Sequence, residues 1–252
     1  MSEINFKRTY PLHESYESVK ETATSFLKKY LAYPNIFAFN DSDNSLTFSS
    51  ERLIPEGSFK RRRVMLLFSN PHPHSIHQGM FLSPNTKGRE NLFWSTMRDA
   101  GWISFAQENI DPKQLADLCL KTEYEGPFDL IFYCYYAFPT DFPDHISKIF
   151  GKKYFKEIIE PEAINEFDDT IRAASVEAVI TFNKGIFNLV SNEKINRYID
   201  RLKEGELVKS KTKNTDLDIP IYLTFPTGWR YHKRYKQLRK QNLELIKANI
   251  ID

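Results

Sequence analysis

Residues 69–81, SNPHPHSIHQGMF, concentrate more reactive side chains than any other stretch of the chain. Asn70-Pro71 opens it, three of the six histidines follow at positions 72, 74 and 77, and Gly79 and Phe81 close it. Asn-Pro alone reads as a strand-ending turn, since Asn caps turns well. Three neutral imidazoles could hold zinc and leave a position for water. A zinc or two-metal hydrolase draws further ligands from other loops, however, and His13, His145 and His232 show no paired spacing. The expectation is a site without metal or cofactor. A second concentration follows Phe225-Pro226-Thr227-Gly228: Arg230, His232, Lys233, Arg234, Lys236, Arg239 and Lys240, with Trp229, Tyr231 and Tyr235 among them. Phosphates favour such cations and a helix start, while a solvated basic helix face is the plainer reading.

Elements must carry these stretches to one place. Val64-Met65-Leu66-Leu67-Phe68 is a continuous apolar run, typical of a parallel strand covered on both faces. Asp129–Tyr136, Ala178–Phe182 and Ile219–Phe225 read as three more strands. Helical spacing covers 12–31, a stretch from about Glu90 to a Gly101 cap, Asp111-Pro112 through Leu120, about 143–174 with a break at Pro161, about 184–203, and a last helix reaching Asn249. IFAF and SLTF around Asn40–Asn44 predict a peripheral hairpin, and Lys209, Lys211 and Lys213 a Lys-rich loop. Apolar strands separated by helices predict a doubly wound α/β sheet, whose ligands bind at the carboxyl ends of the strands. The loops after the first, second and fourth strands should therefore converge, and Trp94 should be core.

Bulk properties bound the function. A chain of 252 residues suits a single domain spanning 1–252, and 41% apolar with 27% charged residues is ordinary for a soluble protein. Core packing is the plain account of 14% aromatics. Cys119 and Cys134 are too few for a disulfide framework, and neither a signal core nor a membrane span is present, so a reducing, cytoplasmic setting without membrane attachment is expected. A net charge of +2 requires any nucleic-acid footprint to be local, and Lys60–Arg63 reads as an ordinary surface run. Gly-x-Ser-x-Gly and a Gly-rich dinucleotide turn are both lacking, against a serine hydrolase and a dinucleotide enzyme.

The order SNPHPHSIHQGMF, then ENLFW followed by Ala100-Gly101, then FPTG after the last strand resembles the uracil-DNA glycosylase superfamily. The Asn-Pro-x-Pro start and Gly79-Met80-Phe81 look closest to its single-strand-selective monofunctional branch, and ENLFW to its mismatch-specific branch. The resemblance implies a three-layer α/β/α fold with a short, mostly parallel four-stranded sheet. It also implies base-excision chemistry of the DNA-repair kind: a hydrolase acting on a damaged or deaminated base flipped out of single- or double-stranded DNA. By residue, it implies that Asn70 holds a water at the anomeric carbon and Phe81 stacks on the base, with Pro71, Gly79 and Tyr135 completing the base pocket. Gly228, Arg230, Lys233 and Arg234 would grip DNA. The His or Asn of the family's second motif is Phe225 here, which passes the donor role to His72 or Thr227, with His74 and His77 as further candidates. YCYY offers no Asn at the end of the middle strand to read a base edge. A glycosylase fold that binds DNA without turnover is the alternative implied.

Overall fold

Along one strand, Val64, Leu66 and Phe68 turn to one face and Met65 and Leu67 to the other, and each set is buried in its own core cluster. A strand covered on both faces needs helices above and below it, and the rest of the chain supplies them. In order, the chain forms β1 (Asn5–Pro11), α1 (Tyr16–Leu27), β2 (Phe37–Asn40), β3 (Ser45–Leu53), β4 (Arg62–Phe68), α2 (Pro73–Gln78), α3 (Leu92–Asp99) and α4 (Pro112–Leu120). It continues with β5 (Phe128–Cys134), α5 (Asp144–Phe150), the single turn α6 (Lys152–Tyr154), α7 (Glu160–Ala173), β6 (Ala178–Thr181), α8 (Lys184–Val190) and α9 (Tyr198–Lys203). Last come β7 (Lys209–Lys211), β8 (Pro220–Leu223) and α10 (Trp229–Ile251). The computed structural model describes residues 4–57, 59–84, 88–107, 110–227 and 229–252, with the backbone alone at 229–233.

β5, β4, β6 and β8 lie side by side and parallel, and they are the four apolar runs of the sequence. The expected four-stranded sheet is nevertheless too small, because the described residues form a sheet of eight strands. Antiparallel β3 adds to β5 through the pairs Arg52↔Tyr133 and Leu53↔Phe132, carrying β1 and β2 with it. β7 closes the opposite edge against β8. Two of these additions were hidden in polar sequence. β1, NFKRTYP, is mostly half-exposed, and β7 buries only Ser210 between two outward lysines, a pattern that blunts a sheet edge. The Lys-rich loop of the sequence reading is thus an edge strand in its first three residues.

Helices α1, α5, α7, α8 and α9 cover one face, and α3, α4 and α10 the other. Local signals set their ends. Asp111 accepts from the backbone N–H groups of Lys113 and Gln114, Pro112 fills the first turn, and Gly101 takes a positive φ of 67° after α3. Pro161 does not break the long helical stretch. The helix runs on from Lys152 to Ala173, and the turn just before the proline, Phe155–Ile159, widens into a π-turn, a local adjustment that accommodates a residue without an N–H.

Candidate functional site

The parallel strands end together at a cleft of about 350 Å³, near the lower bound of the roughly 300 to 1,000 Å³ typical of small-molecule sites. Asn70 and His72 reach it from the loop after β4, Thr140–Pro143 from the loop after β5, Asn183 from the end of β6, and Pro226-Thr227 from the loop after β8. Phe68, Phe81 and Phe182 back it as an aromatic wall, Phe81 only 2% exposed and packed on Phe68 and Phe132, with Phe68 and Phe182 stacked at 5.4 Å between ring centres. The convergence expected of the three loops is what the fold produces.

Backbone bonds fix the two leading loops to each other. Past the strand ends, the N–H groups of Tyr135, Tyr136 and Thr140 donate to the carbonyls of Phe68, Ser69 and Pro71. Within this frame the Asn70 amide donates to the carbonyl of Thr140 at 2.8 Å, to its hydroxyl at 3.1 Å and to the Pro71 carbonyl at 3.0 Å. Its Oδ1 accepts from the Ser69 hydroxyl at 3.0 Å. The nitrogen is fully occupied, so the oxygen, with a second lone pair, is what Asn70 offers the cleft.

The three histidines do three different jobs, and they sit on or beside α2 rather than in an open loop. His72 caps α2: its Nδ1 accepts from the N–H of His74, while Nε2 lies 3.2 Å from Asp141 Oδ1 and 3.2 Å from the Tyr30 hydroxyl. Burial lowers its pKa against the opposing pull of Asp141, which fits a neutral ring protonated at Nε2. Burial acts to raise the Asp141 pKa, but hydrogen bonds from Lys29 and Tyr30 hold it below the usual carboxylate value. His74 Nε2 lies 2.8 Å from the Pro84 carbonyl, and His77 stacks on Tyr33 at 4.2 Å. No three His, Cys, Asp or Glu side chains gather in a metal-binding arrangement among the described residues. Both ring nitrogens of His72 are engaged, so it is a fixed wall of the cleft rather than a spare donor.

Other anticipated residues lie elsewhere. Gly79 ends α2 with φ 80° and lines a neighbouring groove with Lys113, not the cleft. Tyr135 is buried on the opposite face of the sheet, edge-on to Phe167, and does not line the cleft. Pro71 is buried and acts through its carbonyl. Phe225 is also buried, stacked on Tyr235 at 5.4 Å. Gly228 and the side chains of Trp229, Arg230, Tyr231, His232 and Lys233 lie outside the described residues. Arg234 is exposed, with its guanidinium over the Tyr235 ring at a kink in α10. Of the remaining cations, Lys236 pairs with Asp99 and Lys240 with Glu244. Arg239 is buried, donates to the Pro226 carbonyl, and has its pKa lowered by desolvation to about 10. It holds the Thr227 loop in place and offers nothing to a phosphate. Lys60–Arg63 is no ordinary surface run: Arg61 and Arg63 are built into the protein at the start of β4, the end of the strand away from the cleft.

Sequence reasoning passed over four residues that line the cleft. Asp141 fixes His72, and Phe142, 60% exposed, stands at the rim. Asn183 caps α8 by accepting from the Ile186 N–H, which leaves its amide N–H₂ as the group it has to spend. Glu51, on β3, is 3% exposed. An Asn directly after the apolar run Ala178–Phe182 was a usable signal, whereas nothing local marks Glu51. No model of a known protein family matches the chain, and no curated protein aligns with it.

Proposed function

We propose that the protein is a hydrolase of the uracil-DNA glycosylase type, taking a base flipped out of DNA into this cleft. One observation carries the reading: Asn70, Phe81 and Thr227, chosen on motif order alone, line the same cleft from separate segments of the chain. Cleavage of an N-glycosidic bond builds positive charge on the sugar, and Asn70 Oδ1 is held so that it can keep a water at the anomeric carbon. Phe68, Phe81 and Phe182 offer the base an apolar aromatic wall. The departing base gathers negative charge on a ring oxygen. The Thr227 hydroxyl and the Asn183 amide are the donors available to it, in place of the one lost at Phe225. Phe142 at the rim is suited to fill the gap a flipped base leaves in the stack.

The test is base release from single- and double-stranded oligonucleotides carrying uracil, hypoxanthine, xanthine or a mismatch. Wild type is expected to release at least one of these bases, and Asn70→Ala to slow release on the order of a hundredfold by misplacing the water. No release, together with no effect of Asn70→Ala, ends the enzymatic reading. A second reading, DNA binding without turnover, is favoured by the burial of Phe225 where a donor is needed. Salt-dependent binding of DNA without base release would select it.

A further inference from the structure

The cleft holds a buried carboxyl group that the chemistry above does not use. Glu51 lies on β3, one residue before the pair Arg52↔Tyr133 that ties β3 to the parallel strands. Its side chain is 97% removed from solvent (3% exposed), it lines the cleft beside Phe68, Cys134 and Asn183, and its Oε2 has no hydrogen-bond partner among the described residues. Asn5, opposite Glu51 in the β1–β3 ladder, donates an amide N–H to the Ile76 carbonyl at 2.9 Å, and its own Oδ1 is also buried without a partner among the described residues. Cys134, which also lines the cleft, has a thiol pushed up by burial and by the Glu51 carboxyl itself, so it supplies no positive charge. A buried carboxyl oxygen without a partner is costly, and at the wall of a cleft a ligand can supply the partner that the chain does not.

We propose that Glu51 determines which ligand the cleft accepts, by pairing with the edge of a planar, uncharged nitrogen heterocycle that presents one hydrogen-bond donor beside one acceptor. A carboxyl group in its neutral form is itself one donor beside one acceptor, the complement of a lactam edge (C=O next to N–H) or an amidine edge (ring N next to NH₂). Burial drives the Glu51 carboxyl towards that neutral form. An edge of two donors needs an ionised carboxylate and is disfavoured. Glu51 thereby supplies the edge-reading group that YCYY lacks at the end of β5, and it does so from an antiparallel strand outside every motif. The inference rests on reading the cleft as a base pocket.

Calorimetric titration of the whole chain with free uracil, hypoxanthine, cytosine and 1,3-dimethyluracil tests it, using wild type, Glu51→Gln and Glu51→Leu. Thermal melts confirm that each variant is folded. At least one of uracil, hypoxanthine and cytosine is expected to bind wild type at millimolar concentration, ahead of 1,3-dimethyluracil, which has no N–H to pair with the carboxyl. Glu51→Leu should weaken that binding at least roughly tenfold, and Glu51→Gln, whose amide also offers donor and acceptor, should restore it to within a few-fold. Binding unchanged in Glu51→Leu overturns the proposal, as does failure of every heterocycle to bind folded wild type. The two readings separate cleanly. Glu51-dependent binding without base release from DNA keeps this inference and removes the hydrolase, whereas release by Glu51→Leu with unaltered base preference keeps the hydrolase and removes this inference.

Discussion

Asp129 and Glu51 are both carboxylates buried in the same sheet, at 1% and 3% exposure, and the protein treats them in opposite ways. Asp129, near the start of β5, accepts from the Arg61 guanidinium at 2.7 Å and from the backbone N–H groups of Lys60 and Arg61 at 3.2 and 3.3 Å. Arg61 in turn donates to the carbonyls of Thr122, Tyr124 and Gly126. Glu51, at the cleft, keeps an oxygen with no partner among the described residues. The fold can satisfy a buried carboxylate when stability is the requirement. The difference is one of partners: Asp129 has its acceptors met inside the chain, and Glu51 has one oxygen left to be met from the cleft.

The comparison breaks most visibly through Asp129. Removing one member of a buried charged pair strands the other, so Asp129→Ala should cost about 3 to 5 kcal/mol of unfolding free energy in urea titration. A loss near zero would mean the cluster is decorative. Glu51→Leu should move the other way, raising stability by about 1 kcal/mol because an unpartnered polar group is replaced by an apolar one of similar size. A large loss there would show that Glu51 has a structural partner after all. The smallest effect concerns His72, the capped wall between the two loops. Its folded pKa lies below the ordinary 6.5 because partial desolvation disfavours the imidazolium, weakly so with 46% of the side chain exposed, and the unfolded chain binds more protons near that pH. Its contribution is full above 6.5 and is lost as pH falls from there through the lower folded value. Thermal melts across that window should show a slope that is reduced in His72→Asn, which keeps a cap for α2 without a titrating ring.

The parallel core was legible because a strand buried on both faces must be continuously apolar, and Val64–Phe68 and Asp129–Tyr136 are. The caps at Asp111 and Gly101 were legible because their chemistry is local. β1 was not, since a half-exposed edge strand needs no periodic apolar pattern, and β7 was not, since lysines suit an exposed loop and a blunted edge equally well. At the site, Asn70, Phe81 and Thr227 could be picked out from motif order. Tyr135 was misplaced, because which face a residue just past a strand takes depends on how the loop leaves the sheet. Arg239 was misread because a basic residue in a basic run carries no mark of its burial. Glu51 was invisible for a deeper reason: its meaning comes from Cys134, Phe68 and Asn183, each far from it in sequence.

The attachment of β3 to β5 through only two residue pairs bears on the order of assembly. β1, β2 and β3 all fall within the first 53 residues and pair with one another in sequence-local, antiparallel fashion. Their contacts close short loops, whereas the parallel strands are joined across long crossovers, so pairing within β1, β2 and β3 carries the smaller loop-closure cost. Glu51 therefore takes its place from the locally paired part of the sheet, and the loops that surround it come from the part joined over long distances in sequence.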